Sequence, residues 1–279
     1  MTRYGIAVDT ARCMACYNCF MACKDEHCGF DCMPVAAAQP ETGQFWMNLL
    51  ETERGDNSRK IKVLTVPTLC SHCQDAPCAR AAKNGAVYTR KDGIVIIDPV
   101  KAKGQKQIVA ACPTGTIFWN EALQIPQKCT MCAHLLDKGY KNPRCVESCP
   151  NQALIFGDLD DPKSEISKKI AANKVTPLTG LEQIKTNVIH LNIPSVFLAG
   201  TVYLPDDEVA IGAKVKLRSK KSKTYQTTTN YFGDWEVDGL EKGETYDISI
   251  ELAGFEVIKL SAVTDSDKYI GESLMKPGK

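Results

Sequence analysis

The sequence predicts an α+β protein in two domains: residues 1–195 made of short loop, helix and strand units, and residues 196–279 made of strands alone. Three observations predict it. The 279 residues exceed what a single hydrophobic core commonly organises. All 14 cysteines lie between Cys13 and Cys149, so the two parts are held together differently. From about Phe197, short alternating runs recur at near-regular spacing.

Taken in order, Tyr4 to Asp9 reads as a strand leading into the first cysteine loop, and Asn18 to Glu26 as a short helix leaving it. Residues 33–60 form an insertion with no candidate ligand. Gly85 to Thr89 and Gly93 to Ile97 read as a hairpin turning at Arg90 to Asp92. Thr116 to Trp119 and Ala153 to Phe156 are β-like, and Cys129 to Lys138 is helical with Leu135 and Leu136 inward. Residues 162–173 suggest a helix started by Pro162, and 174–195 a connector. Beyond it, Val202–Leu204, Lys214–Arg218, Tyr225–Thr229, Trp235–Val237, Tyr246–Ile250 and Glu256–Leu260 argue a β-sandwich of about seven strands. This second part carries no charge cluster, metal ligand or acid pair in its sequence, and reads as a structural or docking module.

Composition excludes several classes of function. With 44% hydrophobic and 24% charged residues the chain has material for a core and is not a disordered segment. A net charge of +1 supplies no sequence-wide field for nucleic acid or an anionic bilayer. The longest nearly apolar stretch, Ile193 to Leu204, is too short to span lipid, and the N-terminus reaches Asp9 without the apolar run of a secretory signal, so a cytoplasmic location is expected. No G-x-S-x-G, H-E-x-x-H or Gly-rich phosphate loop is present, and the chain itself reads as non-catalytic.

The cysteines carry the chemistry. Cys13, Cys16, Cys19 and Cys23 follow the C-x2-C-x2-C-x3-C run of bacterial ferredoxins, in which three thiolates grip one face of a 4Fe-4S cubane and the fourth reaches another cluster. Cys129, Cys132, Cys145 and Cys149-Pro150 repeat the logic with a longer insertion; Cys70, Cys73 and Cys78 form a third group, and Cys112-Pro113 stands alone. Reciprocal exchange closes three 4Fe-4S sites: Cys13, Cys16, Cys19 with Cys149; Cys129, Cys132, Cys145 with Cys23; Cys70, Cys73, Cys78 with Cys112. A fourth site would need a cysteine near Ala82 and three more before Cys112, but Lys103 to Ala111 has none. Zinc ribbons use two knuckles of two, a poorer match to these spacings. Cys28 and Cys32 fall outside the count and read as buried inert thiols. None of His27, His72, His134 and His190 is assigned as a ligand, although His72, between two cysteines, is placed to donate to a cluster sulfur. The repeated loop, helix and strand units make a duplicated ferredoxin-like fold in which metal supplies much of the folding free energy. Filled this way, the protein would carry a net charge of about −5, partly offset near the ligands by Lys24, Lys128 and Arg144.

These groups in this order resemble the iron-sulfur subunit of the dimethyl sulfoxide reductase family of molybdopterin enzymes. The phrases CFMACKDEH, NGAVYTRKDGIVIIDP and QKCTMCAHLLD, with the gap at Ala82 and Lys103 to Ala111, are most similar to its aromatic transhydroxylase branch. The resemblance implies a heterodimer with a large catalytic subunit holding a molybdenum (or tungsten) bis-pterin cofactor, and three 4Fe-4S clusters in this chain. GTVYLPDDEVAIGAKVKLRS and TNYFGDWEVDGLEKGETYDI resemble the transthyretin- or carboxypeptidase-regulatory-like sandwich. Two other readings stand beside it: the iron-sulfur subunit of another oxidoreductase of that family, and a free-standing multi-cluster ferredoxin, for which the sandwich would be an unneeded appendage.

Overall fold

The computed structural model describes residues 2–57 and 59–278. Two compact units divide the chain, Met1–Glu51 with Thr65–Ile193, and Thr52–Leu64 with Pro194–Lys279. Residues 52–64, which sequence reading leaves in the first domain, thus belong to the second unit.

In the first unit, strand β1 (Tyr4–Asp9) leads to helix α1 (Asn18–His27). Cys19, Cys23 and His27 are the buried residues of α1, and their spacing of four puts them on one face. The insertion is not irregular: it contains β2 (Met47–Asn57) and leads into β3 (Lys60–Leu69), and the two pair as a two-stranded sheet. After α2 (Pro77–Ala81), β4 (Val87–Thr89) and β5 (Val95–Ile97) form the hairpin read from sequence, with Val87 opposite Ile97. Helix α3 (Gln107–Ala110) precedes Cys112, and β6 (Phe118–Asn120) pairs with β7 (Ile125–Gln127).

The helix expected over Cys129 to Lys138 shrinks to α4 (Ala133–Leu136). Met131 (φ 50°) and Cys132 (φ 48°) are left-handed, which no continuing α-helix accepts. Helix α5 (Arg144–Glu147) precedes Cys149, and β8 (Leu154–Asp158) follows. Helix α6 (Glu165–Ala171) starts three residues after Pro162, because the Ser164 hydroxyl accepts the Ser167 N–H at 3.2 Å and so caps it. The connector contains β9 (Val188–Leu191).

Strand β1 is central in the order β8-β1-β9, antiparallel to β8 and parallel to β9. Ile6 and Val8 enter one apolar cluster, while Ala7 enters another with Ile155, Ile166 and Leu191. A strand packed on both faces cannot show polar alternation in its burial, and Ile6, Ala7 and Val8 are all fully buried. Each large aliphatic buried this way contributes about 1.5–3 kcal/mol.

Among the described residues, the second unit has seven strands beyond residue 193: β10 (Val196–Tyr203), β11 (Lys214–Ser219), β12 (Thr224–Thr228), β13 (Asp234–Leu240), β14 (Thr245–Glu251), β15 (Ile258–Val263) and β16 (Lys268–Leu274). They form two sheets, β13-β10-β16 and β12-β11-β14-β15. Leu198, Val202, Trp235 and Val237 of one sheet share an apolar core with Val215, Leu217, Ile248 and Ile250 of the other. The absence of a charge cluster does not hold for this unit. Arg54, Lys60 and Lys62 pair with Glu236, Asp238 and Asp267, so cations from residues 52–64 meet carboxylates from distant strands.

Candidate metal centre

The cysteine loops share a backbone habit. In Cys13-Met-Ala-Cys16, Cys70-Ser-His-Cys73 and Cys129-Thr-Met-Cys132 the second intervening residue is left-handed: Ala15 at φ 54°, His72 at 45° and Met131 at 50°. For residues with a Cβ this conformation costs roughly 1–2 kcal/mol, so surrounding structure must hold it. It winds the loop so that amides face sulfur: the Met131 N–H donates to Cys129 Sγ at 3.3 Å. The Cys-Pro segments share a second habit, with Gly115 (φ 64°) and Gln152 (φ 51°) each three residues beyond the cysteine, and the Ala153 N–H donating to Cys149 Sγ at 3.2 Å.

Three groups of four thiols result. Cys13, Cys16, Cys19 and Cys149 line one cavity. Cys70, Cys73, Cys78 and Cys112 line another. Neither lining includes a carboxylate or an imidazole, so thiolate is the only anionic donor offered. Cys23, Cys129, Cys132 and Cys145 are buried, and Cys23, Cys129 and Cys132 all oppose ionisation of Cys145. Such a donor set suits a polycationic iron-sulfur core, which takes cysteine thiolates in fours.

Electrostatics agree with that donor set. Burial first, and neighbouring thiols second, push Cys19 and Cys73 up to about 12. Burial pushes Cys132 up to about 12 and Cys129 to about 11, with Cys23 and Cys145 also well above the ordinary thiol value. Packed this closely, the thiolates need positive charge at the centre of each group. Cys112 is the exception. Burial raises it, but the Thr114 and Thr116 hydroxyls, 3.5 and 3.4 Å from its sulfur, outweigh burial and hold the thiol below its ordinary value. Of the basic residues near the cysteines, Arg144 is taken up by Glu26 at 2.7 Å and Glu147 at 2.8 Å. Lys24 reaches the Pro40 and Gln44 carbonyls. Lys128 is buried and bonded to the carbonyls of Val95 and Cys129, and its charge acts on Cys78 and Cys129.

The short helix before Cys112 is seated in hydrocarbon. Ile108 stands four residues before Cys112, as Cys145 stands four before Cys149, and is fully buried with Ala76, Ala102 and Ile117; Ala82 packs against the same cluster.

His72 is fully buried and its Nδ1 accepts the Val95 N–H at 3.0 Å, which fixes the loop between Cys70 and Cys73. Sequence reasoning missed His27, whose Nε2 lies 3.7 Å from Cys132 Sγ. The signal was available: His27 follows Cys23 by four residues on a helix. Cys28 and Cys32 are half-buried rather than buried, and neither lines the two cysteine cavities.

Comparison with known proteins decides the family. A 4Fe-4S dicluster domain family matches residues 61–159. The pyrogallol hydroxytransferase small subunit of Pelobacter acidigallici is 36% identical over 278 residues, covering 97% of this chain and 98% of that one. The chain belongs to the pyrogallol hydroxytransferase small-subunit family. That family is one branch of the iron-sulfur subunits of the dimethyl sulfoxide reductase family. A subunit of the anaerobic dimethyl sulfoxide reductase of Escherichia coli is 31% identical over 67% of this chain and 88% of its own length. The arsenate respiratory reductase iron-sulfur subunit of Shewanella is 30% identical over 62% of this chain and 88% of its own. Among the described residues, no helix is long and apolar enough to cross a membrane.

Proposed function

We propose that this chain is the electron-transfer subunit of a heterodimer whose large partner carries a molybdenum or tungsten bis-pterin centre and transfers hydroxyl groups between aromatic rings. The fold that serves it is a duplicated ferredoxin-like domain followed by a β-sandwich. Its own residues would hold three 4Fe-4S clusters: Cys13, Cys16, Cys19 and Cys149; Cys23, Cys129, Cys132 and Cys145; Cys70, Cys73, Cys78 and Cys112. The observation that carries the reading is the convergence of cysteines far apart in sequence, Cys13 with Cys149 in one cavity and Cys70 with Cys112 in another.

Bound clusters supply one-electron storage and relay at potentials set by the ligands' surroundings. The chain's part is to fix those surroundings. Amides of Met131 and Ala153 and the hydroxyls of Thr114 and Thr116 lie at the sulfurs, and the buried positive charge of Lys128 acts on both Cys78 and Cys129. Cys16 is exposed and Met14 is 60% exposed beside the same cavity, which supports an electron exit on a face that a partner covers. A cytoplasmic location is part of this reading.

The test is anaerobic purification of the tagged chain from its native host. A large pterin-containing chain should copurify, with about twelve irons and as many acid-labile sulfides per small chain. Cys78→Ser should remove about four irons. A chain that elutes alone with its iron is a free carrier, and one without appreciable iron or sulfide sinks the proposal.

A further inference from the structure

Outside the three cysteine groups, one other set of metal-ligating atoms converges among the described residues. His27, Cys32 and His134 each bring one ligating atom within 4.8 Å of the others. They come from the last turn of α1, the segment that follows it, and α4. His27 is 2% exposed and the His134 side chain 9%.

The two nitrogens of His134 differ. Nε2–H donates to Glu26 Oε1 at 2.9 Å, and Glu26 is held in turn by Arg144 Nε at 2.7 Å. Nδ1 is buried and has no hydrogen-bond partner. With the proton fixed on Nε2 by a carboxylate, the lone pair of Nδ1 is free, which is the arrangement that stands behind metal-bound histidines. A buried acceptor without a hydrogen-bond partner is open to a ligand.

We propose that His27, Cys32 and His134 bind one zinc-class divalent ion, with a coordination position left over for water. Two imidazoles and a thiolate select a borderline-soft transition ion over magnesium or calcium, which require oxygen. Cys32 is half-buried, which gives an ion a way in. Bound there, the ion joins the helix that carries Cys23 to the helix that follows Cys132. It gives Cys32 a role distinct from that of an inert thiol, and it does not depend on the electron-transfer reading.

The experiment uses the anaerobically purified complex, washed with a chelator and titrated with Zn2+ alone. Expected is one zinc per small chain beyond that bound by a Cys32→Ser complex. Its X-ray absorption edge should report two imidazole nitrogens at about 2.0 Å and one sulfur at about 2.3 Å. Cys32→Ser and His134→Ala should weaken zinc binding at least ~100-fold with iron content unchanged, and Glu26→Gln by ~10–100-fold. Zinc bound equally by wild type and Cys32→Ser overturns the proposal, as does no stoichiometric zinc. A first shell of four sulfurs also overturns it, since that is zinc displacing a cluster. Should His134→Ala lose iron, Cys32→Ser decides, because its side chain reaches the surface and its change is conservative.

Discussion

Thr116→Val tests one device by which the chain would set the potential of the cluster proposed at Cys112. The Thr116 hydroxyl is 3.4 Å from Cys112 Sγ, and Thr114 stands at 3.5 Å. A thiolate ligand cannot donate, so a hydroxyl bonded to it must; the two hydroxyls also lie 3.2 Å apart, where one can donate to the other. Hydrogen bonds to sulfur favour the more negative, reduced state, and removing one lowers the potential. A neutral bond contributes about 1 kcal/mol net, and one to a charged group rather more, so a difference of about 1 kcal/mol between the redox states is the natural scale. At about 59 mV per tenfold for one electron, that is a fall of roughly 40 mV. Valine keeps the shape of the side chain and deletes only the oxygen. Redox titration of the anaerobic complex, followed by electron paramagnetic resonance, should find one cluster lowered by about 40 mV and the others moved by less than ~10 mV. Thr116→Ser should restore the wild-type value, and Thr114→Val with Thr116→Val should deepen the fall. A potential that stays in place or rises refutes either the ligand assignment of Cys112 or the donor role of the threonines.

Three further outcomes follow from the fold. Arg54→Ala removes a guanidinium, with side chain 7% exposed, that bonds Asp267 at 2.7 and 2.9 Å and Asp238 at 3.2 Å; leaving those carboxylates behind should cost about 3–5 kcal/mol, read as a lowered unfolding midpoint of the anaerobic protein. For Asp9, burial raises the carboxyl, but Lys169 at 2.8 Å and Asn192 at 2.9 Å bring it below the ordinary range. A depressed folded pKa stabilises above the unfolded value near 4 and loses that contribution as pH falls through the folded value, so Asp9→Asn should flatten this acid limb in a stability-versus-pH series. Gly233 sits at φ 73° in the turn before Trp235, and a Cβ there would lie 2.6 Å from the Val202 carbonyl oxygen. Gly233→Ala should cost about 1–3 kcal/mol by chemical denaturation, and an unchanged midpoint would mean that the turn relaxes freely.

Local features of the chain were legible and distant ones were not. Cysteines two or three residues apart state their chemistry on the sequence, because a tight loop is the only structure that serves such spacing. The strands beyond residue 200 were readable wherever one face meets the core, as in β11, where buried and exposed residues alternate strictly. Strand β10 was read short because Val196 to Val202 is buried throughout, with no alternation to betray it. Strands β2 and β9 were lost for a different reason. The run MNLLETERGDN is charged and irregular, and VIHL is brief and flanked by connector residues; pairing makes them strands, β2 with the adjoining β3 and β9 with the distant β1. The ion cluster around Arg54 was invisible because its carboxylates, Asp238 and Asp267, lie more than a hundred residues away. Met131 and Cys132 defeated the helix expected at Cys129 because nothing in their side chains announces a left-handed backbone.

The half of the first unit that contains Cys70 and Cys112 shows how one loop geometry can be held by two kinds of force. Cys112-Pro113 and Cys149-Pro150 share the same backbone habit and the same short helix before the cysteine, α3 in one case and α5 in the other. Before Cys149 that helix carries Cys145, buried among thiols; before Cys112 it carries Ile108, fully buried in hydrocarbon. An isoleucine there contributes about 1.5–3 kcal/mol by burial, enough to keep the helix seated without a ligand. Gln105 closes the remaining polar gap, accepting the Lys83 N–H at 2.7 Å and donating to the Lys101 carbonyl at 2.7 Å. Ala82, where α2 ends, presents a methyl on the cluster side in the position that Cys23 occupies relative to Cys19. A metal site removed one ligand at a time would leave thiols stranded in this core. None is stranded there among the described residues: Cys78 is buried in this hydrocarbon with Cys73 and Cys112 packed against it, while Cys70 packs with Cys19, Cys23, Cys129 and Cys145 in the neighbouring apolar cluster.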